Sequence, residues 1–539
     1  MGYLTQFQYD ANNNLTAIID PLGHQTSFAY DARDRLIRQI DALGEVAQYN
    51  YDAADHLINQ WDENGHQTIF TYDALDRVRK SIDALGGVST STYDKVGNLI
   101  ALTDSLGRTT RFTYDHRDRL ISITDPLNGV TTYTYDKVGN LLSVTDELNR
   151  TTTYGYDALN RQISVVDPLN HRTTYGYDAV DNLVSLTDAL GRTTQFGFDA
   201  LNCQISQTDA LGGIASITYD AVGNVVALTD ELGRTTTFTY DARDLRTSVT
   251  DALGQTTSTQ YDAVGNVTAV IDPLGQTTRY GYDALYRQTR QTDALGQTTT
   301  MAYDAVGNLL RITDPENNST AYTYDALDRR VTDTNALGHT RRYTYDAVGN
   351  QIGRTDRNGR QRQYTYDALD RQTKEIWVDG SGNPLRTFSY TYDAASQLTT
   401  VNDPDSAYAY TYDLDGRLTS VNNAGTPGVA NVLLSYTYDA VNNLLSVTDT
   451  IAGQVSGLEA FTYDALNRVT QITQSGNGVA QKRVDMAYCE FRNRCSQSFR
   501  NSQRIHLKTN KGRILRLSRF IIFWILFKPR SLSSPDAIA

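Results

Sequence analysis

Nothing constrains this chain more than a period of 21 residues. An aromatic residue followed by Asp stands at positions 9, 30, 51, 72, 93, 114, 135 and onward without a break to 366, eighteen times in all, with Phe198 the one departure from Tyr. Four further pairs, at Tyr392, Tyr412, Tyr438 and Tyr463, follow at spacings of 26, 20, 26 and 25. A chain written this way folds as a row of like units, each leaning on its neighbours, and the usual allowance of ~150 residues per domain does not apply.

Residues 219–239, YDAVGNVVALTDELGRTTTFT, show what one unit contains. Two short β-like stretches alternate with two turn signals. In Thr131-Thr132-Tyr133-Thr134-Tyr135 the tyrosines sit two apart and share one face of a strand, and Leu141 to Thr145 supplies the next apolar run. Between them lies Asp136-Lys137-Val138-Gly139-Asn140; after them comes Asp-x-Leu-Gly, as in Asp230-Glu231-Leu232-Gly233. An Asp at the head of a turn accepts from its own backbone two residues on, and Gly at the fourth position tolerates positive φ, so both segments are reversals. Each unit is therefore predicted to be a hairpin, giving about 44 strands in all. The 36 tyrosines and 38 glycines favour strands and tight turns over helices.

A second period overlies the first. Units carrying Asn98, Asn140, Asn182, Asn224, Asn266, Asn308 or Asn350 five residues after the aromatic alternate with units carrying Arg77, Arg119, Arg161, Arg287, Arg329 or Arg371 there, so the full repeat is 42 residues. Adjacent hairpins are expected to pack against unlike neighbours. Cys203 occupies one of the Arg positions and is a substitution within the series. Changes of length fall at the Asp-x-x-Gly turn, around residues 379–384, 403–405, 422–428, 451–457 and 474–478. One rim is thus expected to accept loops while the Tyr-Asp rim keeps its length.

The fold class that follows is all-β: a long antiparallel strip of hairpins. Twist of ~20–25° between neighbouring strands curls such a strip into an open hollow shell or spiral. Three segments are expected: a regular array over 1–373, units with longer loops over 374–488, and a basic non-repeat tail over 489–539. Tyr488 stands in register for another pair, but Cys489 replaces the Asp, and from there to the end eleven basic residues face two acidic ones. The tail reads as a disordered or out-of-frame segment. The chain as a whole carries a formal charge of -13, and the acidic body is unsuited to binding nucleic acid through phosphates. Residues 1 to 30 show no signal-peptide pattern, and the longest apolar stretch, Phe520 to Phe527, is far short of the ~20 residues of a membrane-spanning helix.

No catalytic, cofactor-binding or metal-binding residue is expected. The carboxylates that recur in every unit, for instance Asp220 and Asp230, could do acid–base work or hold Ca²⁺, but turn formation accounts for their recurrence. His24, His66, His171 and His339 each lie 15 residues after a repeat aromatic, where other units have Arg108, Arg234, Gln255 or Gln297; they read as interchangeable turn residues. Cys489 and Cys495 lack the second pair that a zinc site needs, and Gly380-Ser381-Gly382 is a flexible loop. The tyrosine ladder could stack on sugar rings, although cross-strand packing explains it as well.

The phrases Tyr303-Asp-Ala-Val-Gly-Asn-Leu309 and Thr229-Asp-Glu-Leu-Gly-Arg-Thr-Thr236 resemble the YD repeats of the bacterial Rhs family, over about residues 3 to 488. That resemblance implies a strip wound into a hollow shell, as in the related insecticidal toxin-complex components and teneurins. It implies a non-catalytic structural role: enclosing a C-terminal toxin or effector polypeptide, secreted or at the cell surface, in competition between bacteria. No stretch resembles the family's Tyr-Asp-Pro…Gly-Arg-Phe…Asp-Pro core, so the expected molecule is a shell wall without core or tip. A surface adhesin that holds carbohydrate on its tyrosines is the alternative, and a small toxin confined to residues 489–539 is a third reading.

Overall fold

The structure, a computed structural model, describes residues 3–476 and 479–486, which belong to one compact unit. The expected tail lies outside the described residues. From Gln6–Tyr9 to Val479–Asp485 the chain forms 45 strands and, among the described residues, no helix. All 45 belong to one sheet, in which every strand pairs antiparallel with the strands before and after it in sequence. In the regular array a six-residue strand ending on the repeat aromatic, such as Val130–Tyr135, alternates with a five-residue strand such as Leu141–Thr145.

The turns form as their sequences dictate. At the Tyr-Asp rim, Asp136 Oδ1 accepts the backbone N–H groups of Val138, Gly139 and Asn140 at 2.9, 2.7 and 2.8 Å. At the opposite rim Asp146 Oδ1 accepts those of Leu148 and Arg150, both at 2.9 Å. Gly139 sits at φ 110°, a conformation that side chains resist; the corresponding residue of the next unit, Asn160, sits at φ 63° in the ordinary left-handed well that Asn and Asp tolerate. The one-residue offset at each Tyr-Asp hairpin, where Thr134 pairs with Ser143 but Tyr135 with Leu141, is a bulge that recurs in unit after unit.

The two faces of the sheet differ. One carries aromatic–aliphatic cross-strand pairs, Phe112 with Ile123, Tyr133 with Val144, Tyr154 with Val165, Tyr175 with Leu186. The other carries hydroxyl pairs such as Thr134 with Ser143, whose oxygens are 2.6 Å apart. No second layer of described residues covers either face. Among the described residues only Ala17, Ala47, Ser164, Ala269, Asp333, Tyr343 and Val378 are buried, so stability comes from neighbour-to-neighbour contacts along the strip and not from a central core.

The longer units after residue 373 spend their extra residues mainly on strand. Val432–Tyr438, Leu444–Ile451, Gln454–Tyr463 and Val469–Gly476 run 7, 8, 10 and 8 residues, and the ladder between the second and third continues to Ile451 opposite Gln454. The added length on that rim thus lies in large part in longer strands.

The strip returns on itself. Tyr286 Oη donates to Asp20 at 2.5 Å, Asn64 to Asp304 at 3.2 Å, Arg108 to Asp370 at 2.8 Å, Arg150 to Gln397 at 3.0 Å and Arg192 to Asn467 at 2.9 Å. These partners are 240 to 275 residues apart. In each case the Asp-x-x-Gly rim of the earlier winding meets the Tyr-Asp rim of the later one. The sheet is therefore a spiral of about two windings, closed along a seam and not into a barrel.

Candidate functional site: the Tyr-Asp rim and the seam

The repeat tyrosine joins consecutive hairpins. At the Tyr-Asp rim the ladder between adjacent hairpins ends at pairs such as Ser122 with Thr132, short of the residue that opens each five-residue strand. Beyond that point Tyr135 Oη bridges the hairpins, donating to Leu120 O at 2.9 Å, and eighteen of the repeat tyrosines make such a bond to the preceding unit. Phe198 has no hydroxyl and cannot. These hydroxyls are committed to the wall, and many of the rings lie under an arginine.

That arginine explains the 42-residue period. Arg119 holds Asp115 of its own turn (Nε–Oδ2 2.8 Å), donates Nη1 to the carbonyl of Asp136 in the next unit at 2.8 Å, and lies 4.7 Å from the centroid of the Tyr135 ring. The next unit makes a different link. Asn140 Nδ2 donates to Asp136 at 2.8 Å and forward to Asn160 at 2.9 Å. An arginine-bearing turn thus reaches forward to a backbone carbonyl, and an asparagine-bearing turn reaches forward to the left-handed Asn or Asp of the following turn. Where Asp55, in a turn that carries His56, or Asp181, in one that carries Asn182, stands in the place of the usual glycine, the preceding Arg35 or Arg161 forms an ion pair with it at 2.7 or 2.9 Å. Arginine hydrogen bonding holds the carboxyls of Asp31, Asp73 and Asp115 down at about 2. Cys203, half-buried, cannot make such a link.

The seam has an apolar spine between its polar contacts. Leu22, Leu43, Leu85, Leu106, Leu127 and Leu190, at the tips of the first winding's Asp-x-Leu-Gly and Asp-x-Leu-Asn turns, are 44 to 52% exposed, whereas Leu253, Leu274, Leu295 and Leu337 of the second winding are 70 to 84% exposed. The Tyr-Asp rim shows the converse: Val96, Val138 and Val222 of the first winding are 72 to 75% exposed, while Val264, Val306 and Val348 of the second are half-buried. Covering about a third of each aliphatic side chain contributes roughly 0.5–1 kcal/mol per residue, out of ~1.5–3 kcal/mol for complete burial.

Two polar clusters interrupt this pattern, and neither is visible in a single repeat. Asp415 stands where the other second-winding turns place a Val or Leu, or Ala395 in one case, and so is carried into the seam opposite His171 of the first winding. His171 Nδ1 is 2.9 Å from Asp167 Oδ2 and 3.5 Å from Asp415 Oδ2, and the three residues offer donor atoms within 4.8 Å of one another. An imidazole and two carboxylates suit a divalent cation, so these are the residues that could hold a metal. Asp415 Oδ1 is buried without a hydrogen-bond donor, and burial, with the charge of Asp167 added, pushes its carboxyl above the usual range. The second cluster lies in the wall. Asp333, opposite Tyr322 and fully buried, accepts from Arg341 at 2.8 Å, Tyr343 at 2.8 Å and Arg357 at 2.6 Å. The other expected turn residues behave as such: His24 and His66 bond Asp20 and Asp62 of their own turns at 2.9 and 3.1 Å, and Asp220 and Asp230 each anchor a turn.

Sequence comparison settles the family. The RHS repeat matches in thirteen stretches, from 9–46, 51–88 and 93–130 through 345–381, 392–427 and 438–480, together most of the chain. The chain belongs to the RHS repeat family. No curated protein matches it by sequence. Among solved structures it is similar to the Photorhabdus luminescens Tc holotoxin pore, with a TM-score of 0.57 at 15% identity over 87% of this chain and 32% of that one. It is also similar to TcdB2-TccC3 without its hypervariable C-terminal region, with a TM-score of 0.54 at 13% identity over 89% of this chain and 38% of that one. At such identities the likeness is one of fold, and this RHS repeat chain spans about a third of the length of either structure. No helix among the described residues is long and apolar enough to cross a membrane.

Proposed function

We propose that this chain is a non-catalytic wall segment of an Rhs-type shell that encloses a polypeptide effector. The observation that carries the reading is a single-layer sheet wound back on itself and sealed along a seam, with neither face covered by a second layer among the described residues. Such an object divides space instead of filling it. The wall's recurring groups support the same reading: the turn carboxylates are spent on backbone N–H groups, and the tyrosine hydroxyls bridge units. In the similar structure TcdB2-TccC3 the part removed is a hypervariable C-terminal region, and a variable segment of that kind is the cargo proposed here. The same reading makes the protein an exported one, acting in competition between bacteria.

Enclosure is tested by fusing an unfolded tracer peptide after residue 539 and following its digestion by a nonspecific protease. Slower cleavage than for the same tracer fused to an unrelated globular protein is expected. Equal rates would overturn enclosure while leaving the wall architecture intact.

A further inference from the structure

Among the described residues no further winding lies on two rims of the spiral, and they are the two halves of the seam it has already made. On one side is the Tyr-Asp rim of the first winding, with Val96, Val138, Leu201 and Val222 exposed at 72 to 83%. On the other is the Asp-x-x-Gly rim of the second winding, with Leu253, Leu274, Leu295 and Leu337 exposed at 70 to 84%. Within the chain, rims of these two kinds meet and cover each other.

Charge follows the same division. In the seam, the side chains of Arg108 and Arg192 are 14% exposed, each reaching across to the Tyr-Asp turns of the next winding. The equivalent Arg234 and Arg360, on the uncovered rim, are 58 and 75% exposed and hold the Asp of their own turns. The uncovered Tyr-Asp rim offers acceptors for them: Asp76 and Asp181 are 74 and 69% exposed and each holds one local partner, His56 or Arg161, just as Asp370 in the seam holds Asn350 as well as Arg108. Rows of exposed aliphatic side chains, broken by Glu316 on one rim and Arg117 on the other and accompanied by unlike charges, mark an association surface.

We infer that a second copy of this chain docks on these rims head to tail, the Asp-x-x-Gly rim of one copy seating on the Tyr-Asp rim of the next and continuing the seam from molecule to molecule. The contact is heterologous, because its two surfaces differ, so each added copy leaves the same pair of rims free. The seam inside the chain supplies the template for both the apolar spine and the arginine-to-turn bonds. This inference does not depend on an enclosed effector.

The test is sedimentation of the full chain across a range of concentrations, unaltered and in two variants. One variant carries Leu253→Glu, Leu274→Glu, Leu295→Glu and Leu337→Glu; the other carries Val96→Glu, Val138→Glu and Val222→Glu. The unaltered chain should rise in mass through dimer and trimer. Each variant alone should remain monomeric, with association weakened tenfold or more, and an equimolar mixture should form a one-to-one dimer and stop there. Hydrogen exchange of the unaltered chain at low and high concentration should show added protection confined to the two rims. A chain monomeric throughout, a variant that associates like the original, a mixture that stays monomeric, or protection at the two end strands in place of the rims would each overturn the inference.

Discussion

Replacing Tyr135 by Phe removes one hydroxyl and little else. The ring keeps its place 4.7 Å beneath Arg119, while the 2.9 Å bond from its hydroxyl to Leu120 O is lost. A neutral hydrogen bond contributes a net ~0.5–1.5 kcal/mol, and an abandoned carbonyl at a half-exposed rim recovers part of that from water, so ~0.5–1 kcal/mol is expected. In a quasi-one-dimensional array the loss should stay local, confined to the two hairpins the bond joins. The converse substitution, Phe198→Tyr, places a hydroxyl where its neighbours have one and should gain a similar amount toward Leu183 O. Hydrogen exchange is the assay, because it reads opening free energies segment by segment. Tyr135→Phe should speed exchange ~2–5-fold in residues 114–145, and Phe198→Tyr should slow it in residues 177–208. Unchanged exchange in both, or faster exchange in Phe198→Tyr, would refute the idea that this hydroxyl ties hairpin to hairpin.

Acid should loosen the Tyr-Asp rim in a defined window. The carboxyls of Asp31, Asp73 and Asp115 are lowered from 3.8 to about 2, so their stabilising contribution is full above the ordinary carboxylate range and is lost as pH falls from about 4 toward 2; acid titration followed by circular dichroism checks this. Asp415→Val, which restores the residue type that other seam turns carry, should stabilise the protein by ~1–3 kcal/mol near neutral pH by removing a buried carboxylate with an unsatisfied oxygen. Because burial raises that carboxyl, the advantage is largest above its folded pKa and shrinks as pH falls through it, a dependence that thermal melts over a pH series would detect.

The strip itself was legible because each of its parts is a local matter. Asp136 and Asp146 each head a turn that their own neighbours complete, and the two-residue spacing of Tyr133 and Tyr135 sets the strand. The alternation of Asn and Arg was also legible as a period, and the expectation of unlike neighbours agrees with the Arg119 and Asn140 links. What escaped is long-range. His171 looks like an interchangeable turn residue in sequence and does bond its own Asp167, but its approach to Asp415 depends on the circumference of the spiral, which no single unit encodes. The one local signal was Asp415 itself, a carboxylate in a column of valines and leucines. Asp333, opposite Tyr322, carried no such signal, because Arg354 and Glu375 stand at the equivalent places of the next two units and Gln39, Gln60, Gln207 and Gln291 at those of others.

The return of the strip on itself is tested most directly by one distance, between spin labels at Ser105 and Ala347 in a background with the native cysteines replaced by serine. These residues are 242 apart in sequence, and Ser105 Oγ donates to Ala347 O at 2.9 Å across the seam. A spiral predicts a single short separation no longer than the reach of the two labels. A strip that never met itself would hold them ~110 Å apart, the span of the intervening strands at ~4.8 Å each, and a long or broad distribution would contradict the winding on which the rest of the account stands.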